Sequence, residues 1–236
     1  VTESTDLNTT SEDADWTQAS LEAYKIQSSL LRVTNELISD SNVNILDHLR
    51  DLLATRMARG LGAYFTTGTG SSQPQGFAEV ANAAGFTTKG EDFGARAITK
   101  TDLLNLYHSV DPYYRTRKSA GWQFTDTTLA VLRALDVSTD GGLIWQPSFA
   151  TSGPATILGA PYYLNTNLQD IQPTYRPIFF GDWKQYSVRE TAPTVLRTSK
   201  EAYFINDQTA IVMLGRWDGD VCGYTDGVKF GRCATT

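Results

Sequence analysis

Residues 21–77 read LEAYKIQSSLLRVTNELISDSNVNILDHLRDLLATRMARGLGAYFTTGTGSSQPQGF, and three patterns follow one another in this stretch. Leu21–Val33 nearly alternates, with Tyr24, Ile26 and Leu30 on one side and Leu31 and Val33 on the other, which predicts a long β-strand. Ser39-Asp40-Ser41-Asn42 is a cluster of good helix N-caps. After it, Ile45, Leu49, Leu52, Leu53, Met57 and Leu61 recur at spacings of three and four and form one apolar stripe. The spacing predicts a helix from about Asn44 to Tyr64, roughly 30 Å long at 1.5 Å per residue, which is a strut by globular standards. Gly60 and Gly62 weaken its last turn, and Gly68-Thr69-Gly70 with Pro74 and Gly76 closes it in a loop.

Upstream, the first sixteen residues hold Glu3, Asp6, Glu12, Asp13 and Asp15 with no base. A segment this acidic and polar cannot bury itself and reads as an exposed, mobile arm or loop. Downstream, a glycine-spotted connection leads to a helix near Thr101–Val110, capped by Thr99 or Thr101, with Leu103, Leu104 and Tyr107 facing inward. Trp122–Thr125 reads as a strand and Thr127–Leu135 as a helix. A strand-rich half follows, beginning at Leu143-Ile144-Trp145 and continuing with candidates at Tyr162–Asn165, Ile178–Phe180, Ser187–Arg189, Tyr203–Asn206, Ala210–Leu214 and Val228–Gly231. The class is mixed α+β, helices early and strands late.

The chain has 236 residues, enough for one good core or two modest lobes. With 41% hydrophobic and 19% charged residues it should fold, and it has no apolar run of membrane-spanning length. It begins at Val1 with no signal-peptide pattern, so it reads as processed or truncated. A net charge of −6 argues against sequence-independent nucleic-acid binding, which relies on neutralising phosphates.

Catalytic constellations are not readable. His48 and His108 stand apart from any metal-ligand spacing. Gly68-Thr69-Gly70-Ser71-Ser72 lacks the ending of a phosphate-binding loop and reads as a plain loop. Asp218, Asp220 and Asp226 could supply calcium oxygens but match no EF-hand spacing and fit turns better. No nucleophile elbow occurs. No catalytic residue, cofactor or metal is assigned, and the chain is expected not to be an enzyme. Cys222 and Cys233 flank Asp226-Gly227; a hairpin there would bring the thiols close enough for a disulfide, whereas a reducing compartment would keep them free.

The order of these motifs resembles the HK97-like major capsid proteins of tailed bacteriophages, whose fold is shared by encapsulins and gene transfer agent capsids. Residues 21–77 look like the family's returning E-loop strand, spine helix and closing Gly-Thr-Gly…Pro-Gln-Gly-Phe loop. Asp102–Tyr107 and WQFTDTTLAVLRALDVSTDGGLIWQPS resemble the start of its A-domain. Ile157–Pro161, RPIFFGDWKQYSV and MLGRWDGDV resemble its later signatures. The resemblance spans about Leu21 to Arg232. It implies an HK97-like fold divided as follows: residues 1–40 as E-loop β-hairpin and returning strand, 41–98 as P-domain with spine helix 44–65, 99–205 as mostly A-domain, and 206–236 as strands returning to the P-domain.

It further implies pentamers and hexamers of an icosahedral shell around double-stranded DNA, without sequence-specific contact. Portal, scaffold and decoration proteins are the implied partners, host cytoplasm the place of assembly and the virion the destination. An encapsulin-like compartment holding cargo enzymes is the alternative, and a soluble enzyme with an unrecognised site is the remote one. Only about twenty residues precede the returning strand, so Val1 is expected to fall inside the E-loop, with the family's N-terminal arm missing. No Lys precedes Lys25, and no isopeptide crosslink is expected.

Overall fold

The computed structural model describes residues 21–42, 44–80, 87–93, 98–136, 145–146, 156–221 and 227–235. Its elements in chain order are β1 (Tyr24–Gln27), β2 (Leu31–Thr34), α1 (Asn35–Asp40), α2 (Ile45–Thr67), α3 (Phe77–Val80), β3 (Thr87–Phe93), α4 (Lys100–Ser109), α5 (Pro112–Arg115), β4 (Ala120–Phe124), α6 (Asp126–Asp136), β5 (Trp145–Gln146), β6 (Thr156–Ile157), β7 (Ala160–Leu164), β8 (Ile178–Asp182), β9 (Tyr186–Tyr203), β10 (Gln208–Val221) and β11 (Val228–Cys233). They build two sheets, one of four strands and one of seven. The expected mixed α+β class is therefore the observed one. The acidic residues Glu3–Asp15 and the leading Leu143-Ile144 of an expected strand lie outside the described residues.

In the four-stranded sheet, β10 is central: β9 lies along one edge, and β1 and β2 follow one another along the other. The single strand expected over Leu21–Val33 is broken at Ser28–Leu30. Ser28 donates its backbone N–H to the Met213 carbonyl and accepts the Met213 N–H on its hydroxyl, so one residue takes up both hydrogen bonds at the step. The break shifts the side-chain phase. Ile26, Leu31 and Val33, expected on opposite sides, all pack toward α2 with Leu53, Met57, Leu61, Ile211 and Met213. Leu30 is left exposed.

The spine helix α2 is 23 residues long, about 35 Å. It starts one residue later than expected and continues through Gly60 and Gly62 to Thr67. The Ser39–Asn42 cluster caps nothing there; Thr34 caps the short α1, and Asn44 stands at the start of α2 without a side-chain cap bond. The stripe Leu49, Leu53, Met57 and Leu61 packs on the sheet as its spacing requires, with Leu53 fully buried.

The seven-stranded sheet runs β3-β11-β8-β4-β7-β6-β5. Its third strand β8, Ile178–Asp182, is buried throughout, because both faces are covered. On one face Trp122, Phe124, Ile178 and Phe180 pack against Leu103 and Leu106 of α4 and Leu129 and Leu132 of α6. Helix α4 carries a full capping box: Thr99 accepts from Asp102 N–H, and the Asp102 carboxylate accepts from Thr99 N–H. Leu104, expected inward, is 41% exposed, and Leu106 takes the core position. On the other face, Phe77 at the start of α3 meets Phe179 at 5.3 Å and Trp183 at 4.9 Å between ring centroids. This aromatic contact couples the end of the spine helix to the larger sheet.

β9 belongs to the spine-helix sheet, and β3 and β11 lie in the seven-stranded sheet, parallel to one another. Of Tyr203–Asn206, expected as a strand, Tyr203 ends β9 and Phe204–Asn206 form the turn to β10. At Gly231 of β11 the Phe93 ring occupies the space a Cβ would need, its Cζ only 1.8 Å from that position.

Candidate assembly surface

The four-stranded sheet ends in an apolar tip. Phe204 and Ile205, in the turn between β9 and β10, are 82% and 97% exposed. The turn that presents them is firmly held. Asn35 donates its amide to the Asp207 carboxylate at 2.6 Å, its backbone N–H to the Asp207 carbonyl at 3.0 Å, and accepts from the Thr209 hydroxyl at 2.6 Å. Asp207 adopts the left-handed conformation, φ 49°, that closes the turn. Two large apolar side chains on a fixed, solvent-facing turn are a docking feature, since leaving them in water forfeits their burial energy.

Below the tip, the sheet has two unlike faces. Ile211 and Met213 face α2, so Ala210, Val212, Leu214 and Arg216 face away from it. Residues directly opposite across an antiparallel ladder share a face. The outward face therefore collects Arg32 opposite Ala210, Arg197 opposite Val212, and Lys25 opposite Arg216. All four cations are exposed. The β9 edge away from β10 has no strand beside it among the described residues.

The residues singled out from sequence are not gathered into a chemical site. His48 lies exposed on α2. His108 Nδ1 lies 2.8 Å from Arg115 Nη1 and accepts from that guanidinium. Among the described residues no group of three His, Cys, Asp or Glu could hold a metal ion. Gly68–Gly76 is closed on itself by a Thr69–Gln75 bridge, and the Gly70 carbonyl is occupied by the Tyr24 hydroxyl at 3.2 Å.

Asp218 is buried at 5% exposure and accepts the Gly219 N–H at 2.8 Å. Burial, with the negative charges of Asp220 and Glu22, pushes its carboxyl above the usual range. Asp226 and Cys222 lie outside the described residues. The expected pairing of Cys222 with Cys233 therefore lies outside the described residues on its Cys222 side. Cys233 is a buried free thiol whose pKa burial raises. The Phe204–Ile205 tip and the four-cation face went unread in the sequence. The Tyr-Phe-Ile run looked like a strand, although the following Asn206-Asp207 is a turn signal.

No helix among the described residues is long and apolar enough to cross a membrane. Comparison with known proteins agrees with the architecture. The model of the Phage capsid family matches residues 1–233. A capsid of an empty GTA particle superposes with a TM-score of 0.74 at 21% identity, over 95% of this chain and 79% of that one. A Gordonia phage Cozz structure gives 0.61 at 17% identity, covering 92% and 71%. The holo-SrpI encapsulin complex from Synechococcus elongatus gives 0.65 at 15% identity, covering 91% and 75%. A search of curated proteins found no match. The structural likenesses share the HK97-like fold.

Proposed function

Because the chain belongs to the phage capsid family, we propose that it is a structural subunit, not an enzyme, whose copies form pentamers and hexamers of an icosahedral shell around double-stranded DNA. The observation that carries this reading is the rigid, almost fully exposed Phe204–Ile205 tip. A single copy gives it no partner, and a symmetric assembly supplies one in every subunit. The acidic balance of the chain, −6 overall, suits a wall that confines DNA without adhering to it through phosphate contacts. In this reading assembly takes place in the host cytoplasm, the product is the virion capsid, and portal, scaffold and decoration proteins join the shell.

Electron microscopy and sedimentation of the purified protein test the proposal. Closed particles containing nucleic acid are expected; a small, discrete species under all assembly conditions would overturn it. The likeness to an encapsulin motivates a second reading, a compartment that encloses protein cargo. Particles that carry co-purified enzyme and no nucleic acid would favour that reading over the first.

A further inference from the structure

Strand β9 is a long open edge. It runs for 18 residues, and on the side away from β10 no strand lies beside it among the described residues. From Val188 to Ala202 every residue except Thr194 and Leu196 is exposed. An edge of this kind offers a row of backbone donors and acceptors to another chain.

The charges on β9 select that chain. Arg189, Glu190, Arg197, Lys200 and Glu201 form no ion pair among the described residues. Arg189 donates to the Leu21 carbonyl and has further N–H groups to give. Edge charges ordinarily keep copies apart, because pairing sets like beside like. Parallel, in-register pairing of two β9 strands would do so at all five positions. Antiparallel pairing reverses the outcome. The register that sets Glu190 opposite Lys200 of a second copy also sets Arg189 opposite Glu201, and two-fold symmetry repeats both pairs at the other end. Arg197 then stands opposite Pro193, and no like charges are opposed.

The faces agree with this register. Glu190 is opposite Trp217, which packs toward α2. Ser199 is opposite Ala210 on the other face, so the next residue, Lys200, turns toward α2 as well. Glu190 and Lys200 therefore share the α2 side of a continuous sheet, as directly opposed residues must. Pro193, which cannot donate to a ladder, falls in the register shift between Ala192 and Val195, where a bulge already leaves a bond out. Symmetry gives both strands the same bulges, so the stretch from Glu190 to Lys200 has equal length in each and its ends still meet.

We propose that β9 pairs antiparallel with β9 of a second copy about a two-fold axis near Val195, joined by the Arg189–Glu201 and Glu190–Lys200 pairs. Two four-stranded sheets thereby become one sheet of eight. This deepens the shell reading above by naming a two-fold contact between its subunits.

Carbodiimide coupling of particles assembled from equal amounts of light-nitrogen and heavy-nitrogen chains tests the contact. Within one strand Glu190 and Lys200 stand about 25–30 Å apart, too far for a zero-length link. A peptide joining Lys200 to Glu190, with mixed isotopes, is expected; its absence overturns the proposal. In parallel, Glu190→Lys alone opposes two lysines and Lys200→Glu alone opposes two glutamates. Each should lower the fraction of chain in particles about tenfold at low salt, and the chain carrying both changes should recover it. Single variants that assemble like the unaltered chain, or a double variant that does not recover, count against the pairing.

Circular dichroism of the single variants, unchanged at these exposed sites, separates lost pairing from lost folding. If the unaltered protein forms no particles, the shell reading fails, and the same coupling applied to the soluble species decides the strand contact by itself. A dimer linked through Glu190 and Lys200 sustains the contact, and an unlinked monomer removes it.

Discussion

Arg117 Nη1 meets Asp182 Oδ2 at 2.9 Å, and the Asp182 side chain has no exposure to solvent while the arginine keeps 34% of its own. The guanidinium also lies 4.2 Å from the centroid of the Tyr113 ring, a cation–π contact. Asp182 further accepts from Lys184 N–H at 3.1 Å and from the Gln185 amide at 3.4 Å. The cluster fixes the corner where β8 leaves the larger sheet toward β9.

Burial alone would push the Asp182 carboxyl up, but its hydrogen bonds from Ser119, Lys184 N–H, Arg117 and Gln185 together hold it below the usual range. A depressed carboxylate pKa contributes stability that is present above the unfolded-state value, near 4, and is lost as pH falls through the lower folded value. Asp170, held down by the hydroxyls of Thr127 and Thr125, acts in the same sense. Stability measured by urea unfolding should therefore decline below about pH 4. Asp182→Asn should cost about 2 kcal/mol at pH 7 and flatten that decline; an unchanged acid limb would contradict the assignment.

Asp218 has the opposite sign. Its raised pKa means that its contribution is present below the unfolded value and lost as pH rises through the folded value. Asp218→Asn, which can still accept the Gly219 N–H, should raise the melting temperature at pH 7 and leave it nearly unchanged at pH 3. A lower melting temperature at pH 7 would count against the charge being costly there.

Leu53→Ala removes a fully buried side chain from the seam between α2 and the sheet and should cost about 3 kcal/mol. His48→Ala, on the exposed side of the same helix, should stay within about 0.5 kcal/mol. The urea midpoints of the two variants provide the comparison, and equal midpoints would place the apolar stripe elsewhere.

Gly231→Ala puts a methyl group into the Phe93 ring. Phe93 is 1% exposed and has nowhere to retreat, so a loss of about 2–3 kcal/mol is expected from overpacking. Gly60→Ala, where a Cβ meets nothing within 4 Å, should stabilise the helix by up to about 1 kcal/mol. Thermal unfolding of both variants would expose any reversal of this order.

Phe204→Ser with Ile205→Asp should leave the subunit's stability within about 0.5 kcal/mol, because neither side chain is packed against its own chain. Assembly should fail or slow markedly. Sedimentation velocity on the refolded double variant decides the matter: normal particle yield would remove the tip from the interface.

Much of this was legible because it is local. The four-residue spacing of Leu49, Leu53, Met57 and Leu61 specified both the helix and its buried side, and Thr99, one of the two candidate caps, marks a helix start that the structure keeps. Features set by distant partners were not legible. The break at Ser28 exists because Met213, 185 residues away, takes both of its bonds. The 18-residue β9 was obscured by Pro193, which is tolerated because that strand lies at an edge. The cationic face was invisible because Lys25, Arg197 and Arg216 become neighbours only through strand register.

The placement of β11 also bears on when a subunit becomes usable. Val228–Cys233 lies between β3 and β8 in the larger sheet, and β10 holds β1 and β2 in the smaller one. Neither sheet is complete without a late strand, β10 in the smaller and β11 in the larger, so the ordering of the early strands waits on contacts far along the chain. A chain cut before Gln208 is left with two open sheets at once, and damage at one point of the sequence becomes damage to both halves of the fold.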